Sequence, residues 1–129
     1  MNLESPTVNV NKTADQLFDF LMDVQNFETI MPENTDKFEV LDQAFIFALK
    51  GMPSIKLKLH ENEKPSKIVF ASASDKFPFT LTGNIASVNE TSASINLKFD
   101  GDFNPMMAMM IKNPLQKFIN TLSENLSNL

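Results

Sequence analysis

The chain has 129 residues, 43% hydrophobic and 21% charged, which is the size and composition of one soluble domain able to bury a real core. It has no cysteine and one histidine, His60, which excludes disulfides, thiolate metal sites, cysteine nucleophiles and a His-rich metal site within one chain. The net charge of −5 argues against nucleic-acid binding, which takes clustered Lys and Arg; Lys56 and Lys58 are the densest pairing.

No apolar run approaches the roughly 18 residues of a membrane helix, and MNLESPTVNV lacks the basic start and apolar core of a signal peptide. The expectation is a cytoplasmic protein with no integral membrane segment and a single domain over residues 1–129. The twelve Phe and eight Met, with no Trp or Tyr, suit a dry and shape-adaptable interior. Composition leaves open whether they form ordinary core or line an apolar pocket.

In chain order, Thr7 to Val10 predicts a short strand with Val8 and Val10 on one face. Thr13 and Gln16 form a capping box for a helix whose stripe is Leu17, Phe20, Leu21 and Val24, widened by Phe18 and Met22. Asp23 to Asn26 predicts a break. Phe27, Ile30 and Met31 continue in a short helical piece that Pro32 ends.

Glu33 to Asp36 reads as a turn, and Phe38 and Val40 as a half-buried strand. Asp42-Gln43 turns into AFIFALK, with Phe45, Phe47 and Leu49 inward. After a turn at Gly51 to Pro53, Ile55, Leu57 and Leu59 alternate with Lys56, Lys58 and His60; a one-residue slip would bury the lysines, so register is fixed. Glu61 to Ser66 reads as a charged turn, then Ile68 and Phe70 face inward. Asp75-Lys76 leads to Phe77, Phe79, Leu81, Gly83 and Ile85 on one face, where Gly83 suggests a bulge or a close approach. Asn89 to Ser92 turns into Ile95, Leu97 and Phe99. Short turns between neighbouring strands make an antiparallel meander.

Asn104 as N-cap and Pro105 at the first helical position open a long last helix with the stripe Met107, Ile111, Leu115, Phe118, Leu122 and Leu126. Pro114 predicts a kink, with Asn113 placed to recap a second helix. Met106 and Met109 fall off the stripe. They form an exposed adaptable patch if the helix is straight, and are buried if the kink rotates that turn.

One strand, a broken helix, a run of strands and a long final helix predict an α+β helix-grip fold: a curved antiparallel sheet around a C-terminal helix, with two short helices after the first strand. The stretch VNKTADQLFDFLMDVQNFETIMP resembles the opening of the START-like (SRPBCC) superfamily, which includes polyketide cyclases and aromatases, lipid-transfer START domains, coenzyme Q-binding proteins and the birch pollen allergen. The segment from Asn104 to Leu126 is similar to that group's last helix. The family often carries Trp where Phe18 and Ile30 stand here, so no Trp stacking role transfers. The resemblance implies an internal cavity between sheet and helix for apolar or amphipathic ligands.

Strand parity and the helix stripe give the candidate lining: Phe47, Leu57, Leu59, Phe70, Phe79, Leu81, Leu97, Phe99, Met107, Met110, Ile111 and Phe118. His60 lies on the outer face, and Glu61 on the opposite face of a regular strand, so no general base is oriented. Asp100 and Asp102 complement the dipole of the following helix. No nucleophile motif or Gly-rich phosphate loop is present. The expected function is binding of an apolar or amphipathic small molecule or lipid without catalysis, with no metal and no cofactor. The alternatives are a cyclase, aromatase or hydrolase, which would need polar groups inside (Ser72 is the only inward one), and a closed-cavity interaction module, with a homodimer as one form of it.

Overall fold

Alternating apolar and polar residues make strand the commonest element of this chain. The computed structural model describes residues 1–50, 54–72 and 79–129. Its strands are β1 (Asn2–Glu4), β2 (Val8–Val10), β3 (Thr35–Leu41), β4 (Ala44–Leu49), β5 (Ile55–Glu63), β6 (Lys67–Ser72), β7 (Phe79–Ser87) and β8 (Ala93–Gly101). They form one curved antiparallel sheet in the order β1-β8-β7-β6-β5-β4-β3, and β2 also pairs with β8. Helices α1 (Ala14–Met22), α2 (Phe27–Ile30) and α3 (Pro105–Ser127) complete the α+β helix-grip architecture.

The local signals act as their chemistry requires. Gln16 N–H donates to Thr13 Oγ1 at 3.1 Å and Thr13 N–H to Gln16 Oε1 at 3.0 Å, so both halves of the capping box form. Asp23 leaves the helical region, and its Oδ1 accepts from Gln25 N–H as a 3-10 turn, Val24–Asn26, begins. Met31 turns extended before Pro32 and ends α2. Gln43 takes φ 55° in the tight β3–β4 turn. Asn89 Oδ1 accepts from the amides of Thr91 and Ser92, both at 2.9 Å, shaping the β7–β8 turn. Asn104 Oδ1 accepts from Met107 N–H at 2.8 Å to start α3.

Several expectations are corrected. A strand precedes the predicted first one: β1 pairs with β8 from Asn2 opposite Asp100 to Glu4 opposite Lys98. Ser5 and Pro6 separate it from β2. The turn expected over Glu33 to Asp36 is shorter, because β3 already starts at Thr35, and β5 runs to Glu63, which leaves Lys64 to Ser66 as the turn. Register is unbroken across Gly83, which sits opposite Ile68 and Leu97, so there is no bulge there. Register shifts lie instead between Thr35 and Lys37 and between Leu59 and Asn62. α3 is continuous through Pro114, so Asn113 caps no second helix. Met106, Met109 and Met110 are exposed, which settles their turn as a surface patch. The turns expected at Gly51 to Pro53 and Asp75-Lys76, with Phe77, lie outside the described residues.

The parity of β5 is as read: Leu57 is buried while Lys56, Lys58 and His60 are exposed. The inward face is covered mainly by rings. Phe47 on β4 stacks on Phe118 of α3, centroids 4.8 Å apart at 12°. Phe27, at the start of α2, stacks on Phe45 at 4.7 Å and meets Phe70 edge-on at 5.1 Å. At the far end Phe79 stacks on Phe99 at 4.7 Å. Such pairs add to the burial of area itself.

Phe118→Ala removes the ring that joins helix to sheet. It is expected to cost about 3–5 kcal/mol, whereas His60→Ala stays within about 0.5 kcal/mol. Urea denaturation of both variants checks this; the reverse ranking would overturn the assignment of faces.

Candidate functional site

The interior between sheet and helices is where a helix-grip fold would hold a ligand. Its walls come from α1 and α2 (Leu21, Phe27, Ile30), from the sheet (Ile68, Phe70, Leu81, Gly83, Leu97) and from α3 (Leu122, Leu126). The void they enclose is only ≈ 10 Å³, about the space one water-sized sphere occupies. Phe27 and Phe70 occupy the space that a ligand body would need. Gly83 borders this void without a close approach: a Cβ there would lie 3.6 Å from Ile95 Cδ1 and 3.7 Å from Leu97 Cδ2, ordinary contacts.

The candidate lining residues therefore scatter. Phe70, Leu81 and Leu97 meet at the void. Phe47, Leu57, Phe79, Phe99 and Ile111 are buried in packed core away from it, and Leu59 and Met107 are half-buried at its margin. Met110 is 69% exposed and does not face the interior, because its position on α3 lies on the solvent side. Ser72 is half-buried opposite Leu57. The polar groups buried on the inside are elsewhere: Ser5 Oγ accepts from Leu97 N–H at 2.9 Å, and Ser123 Oγ–H donates to the Pro6 carbonyl at 3.2 Å, so both serve to anchor the N-terminal strands.

A larger space lies at the mouth of the grip. A cleft of ≈ 300 Å³ opens between the end of β4, the turn after α2 and the middle of α3. Its floor is Leu49 and Phe118, both 3% exposed and both continuous with the core. Its rim is Pro32, Asn34, Lys50, Asn113, Pro114, Lys117 and Thr121. The walls are tied together. Lys50 N–H donates to the Asn34 carbonyl at 3.0 Å, and the Thr35 hydroxyl to the Pro32 carbonyl at 2.7 Å. Asn125 Nδ2 donates to the Ile30 carbonyl at 2.8 Å, fixing α3 to the end of α2. The Phe47 stack fixes the Phe118 ring from below.

The rim is rich in donors. Among the described residues, the side chains of Asn34, Lys50, Asn113, Lys117 and Thr121 make no hydrogen bond or ion pair within the protein. Pro114 has no amide, so the Met110 carbonyl lacks its usual donor in the helix. No carboxylate lines the cleft. Sequence reading placed Leu49 and Phe118 inward but missed the rim, which comes from three separated segments of ordinary polar residues.

His60 stays outside. The irregularity after Leu59 brings Glu61 Oε1 to 3.9 Å from its Nε2, correcting the expectation that the two face opposite ways. Their side chains are 58% and 73% exposed, so this is a weak surface pair. Among the described residues no three His, Asp or Glu side chains converge as a metal site, and no helix is long and apolar enough to cross a membrane.

Solved structures share this architecture. A START superfamily protein from Mycobacterium smegmatis matches with a TM-score of 0.76 at 14% identity, covering 98% of this chain and 94% of that one. The protein has a START-like fold. Norcoclaurine synthase from Thalictrum flavum matches the START-like chain with a TM-score of 0.71 at 10% identity, covering 99% and 94%. An aromatase/cyclase from Streptomyces sp. R1128 matches with 0.70 at 14% identity, covering 99% and 89%. No sequence-family model matches the chain, and no curated protein matches it by sequence. Enzymes and a protein named only by its superfamily share the START-like fold, so activity has to be argued from the site.

Two glycine substitutions test the described packing. Gly83→Ala fills the void with ordinary contacts and is expected to stabilise by up to about 1 kcal/mol. Gly101→Ala would set a Cβ 2.5 Å from Phe103 Cε2 and 2.9 Å from Phe79 Cβ, and is expected to destabilise by about 1–3 kcal/mol. Denaturation midpoints of the two variants should move in opposite directions.

Proposed function

We propose that this START-like protein binds an apolar or amphipathic small molecule without transforming it, and that the ligand sits in the cleft over Leu49 and Phe118. The observation that carries this reading is the contrast in volume: ≈ 300 Å³ at the mouth against ≈ 10 Å³ inside. The larger volume is at the lower end of small-molecule sites, and an apolar floor with a few polar rim groups is their usual lining. The reading is non-catalytic because the titratable groups that line the cleft are two lysines, with no acid or histidine in the lining. A general acid–base pair needs a partner within hydrogen-bond reach.

A second reading has one observation in its favour. Met106, Met109 and Met110 are 75%, 83% and 69% exposed on adjacent turns of α3, an adaptable apolar surface of the kind protein contacts use. In that reading the packed interior is structural and the surface acts, through a dimer or another protein.

Titration with a neutral fluorescent apolar dye separates the two. Saturable one-to-one binding is expected, weakened at least about tenfold by Thr121→Trp, which fills the cleft. Each methylene of a neutral ligand should add up to about 0.8 kcal/mol until the cleft is full. Affinity for such neutral probes should change little between pH 5.5 and 8, since His60 is on the outer face. A steep pH dependence that vanishes in His60→Gln would favour the enzyme alternative. Binding indifferent to Thr121→Trp and lost in Met109→Ser would favour the surface reading.

A further inference from the structure

The chain carries a net charge of −5, yet the cleft is lined by two lysines and no carboxylate. From Pro105 to Ser123, α3 holds Lys112 and Lys117 and no acidic residue at all. Lys50 approaches from the end of β4, so the two cleft lysines belong to different elements and converge only in the fold. Asn34, Asn113 and Thr121 add three more side chains with hydrogen-bond donors, and none of the five is engaged within the protein among the described residues. Unengaged donors around a dry floor are one half of an interaction. The missing half is an acceptor with negative charge, carried on an apolar body that covers Leu49 and Phe118.

We propose that the cleft selects a small monocarboxylate: a carboxylate head held between Lys50 and Lys117, and an aromatic or short aliphatic body on the Leu49–Phe118 floor. This rests on the binding reading above and names its ligand class. Size follows from volume. At the roughly 30 Å³ that one water takes up in the liquid, ≈ 300 Å³ holds a body of about ten non-hydrogen atoms. The seated part of the ligand is therefore the size of an arylalkanoate. Selection arises because an ammonium-to-carboxylate hydrogen bond is stronger than the bond a neutral amide would make at the same place. Both lysines are exposed at the rim, so the attraction is screened by salt and modest in size.

The test uses probes with one body and three heads: 3-phenylpropanoate, 3-phenylpropanamide and 3-phenylpropylamine, each measured by displacement of the neutral dye at low salt. The carboxylate should bind about five- to tenfold more tightly than the amide, and the amine more weakly than either. Lys50→Met and Lys117→Met, both at exposed positions, should each lower the ratio of carboxylate to amide affinity, and the double variant should bring that ratio to about one, whatever shift the two probes share. Raising salt to about 0.5 M should shrink the preference in the parent only. Equal affinity for amide and carboxylate in the parent, or a preference that survives the double variant, overturns the proposal while leaving the binding reading intact. Failure of the dye and all three probes to bind overturns both.

Discussion

A sheet with one apolar face cannot stay in water uncovered; here α1 and α3 share the cover, and one ring stack ties α3 across to β4. Phe118 of α3 lies on Phe47 of β4 almost face to face, at 12°. Around that contact Leu115, Ile119, Leu122 and Leu126 bury fully against the sheet. The rest of the arrangement follows from where this helix lies. Its C-terminal part meets α2, where Asn125 Nδ2 holds the Ile30 carbonyl, and also holds the approach to β2 through Ser123 and the Pro6 carbonyl. Its N-terminal turns extend past the sheet's cover, which is why three methionines there meet solvent.

A second ring cluster narrows the space beneath the first two helices. Phe27 folds down over Phe45 and Phe70 and closes the space beneath α1 and α2. With the interior occupied by the protein's own rings at this point, the grip is a packed core there rather than a container. Among the spaces left by the described residues is the crevice where helix, strand end and turn meet. The neighbouring START-like structures include two named for enzymes, so the scaffold itself is neutral between binding and catalysis. The difference must lie in which groups a given chain presents. Here they are donors without an acid or a histidine beside them.

Much of this was legible in the sequence because single residues carry unambiguous chemistry. Lys56, Lys58 and His60 fixed the parity of β5, since three polar side chains in alternation cannot face a core. Thr13 with Gln16, and Asn104 with Pro105, marked two helix starts through side-chain caps. Other features left weaker signals. β1 is three residues long and forms only because β8 offers a long edge, a tertiary cause that local pattern does not contain. A second helix capped by Asn113 does not form, and a helix pinned on both sides of Pro114 by Ile111, Leu115 and Phe118 continues through it. Parity identifies which side chains point inward, but not whether they meet. The void beside Phe27 and Phe70 is small, and the cleft's rim joins Pro32, Lys50 and Lys117, which have no common motif in the chain.

The central claim is that this fold binds at the mouth and not in the middle. Amide chemical shifts of the labelled protein during titration with a neutral apolar ligand report the location directly. The account predicts perturbations clustered at Asn34, Leu49, Lys50 and Asn113 to Thr121, excluding Pro114, which has no amide, with Phe70, Leu81, Gly83 and Leu97 unmoved. Perturbations centred on those four strand residues, with the cleft silent, would contradict it and return the ligand to the interior.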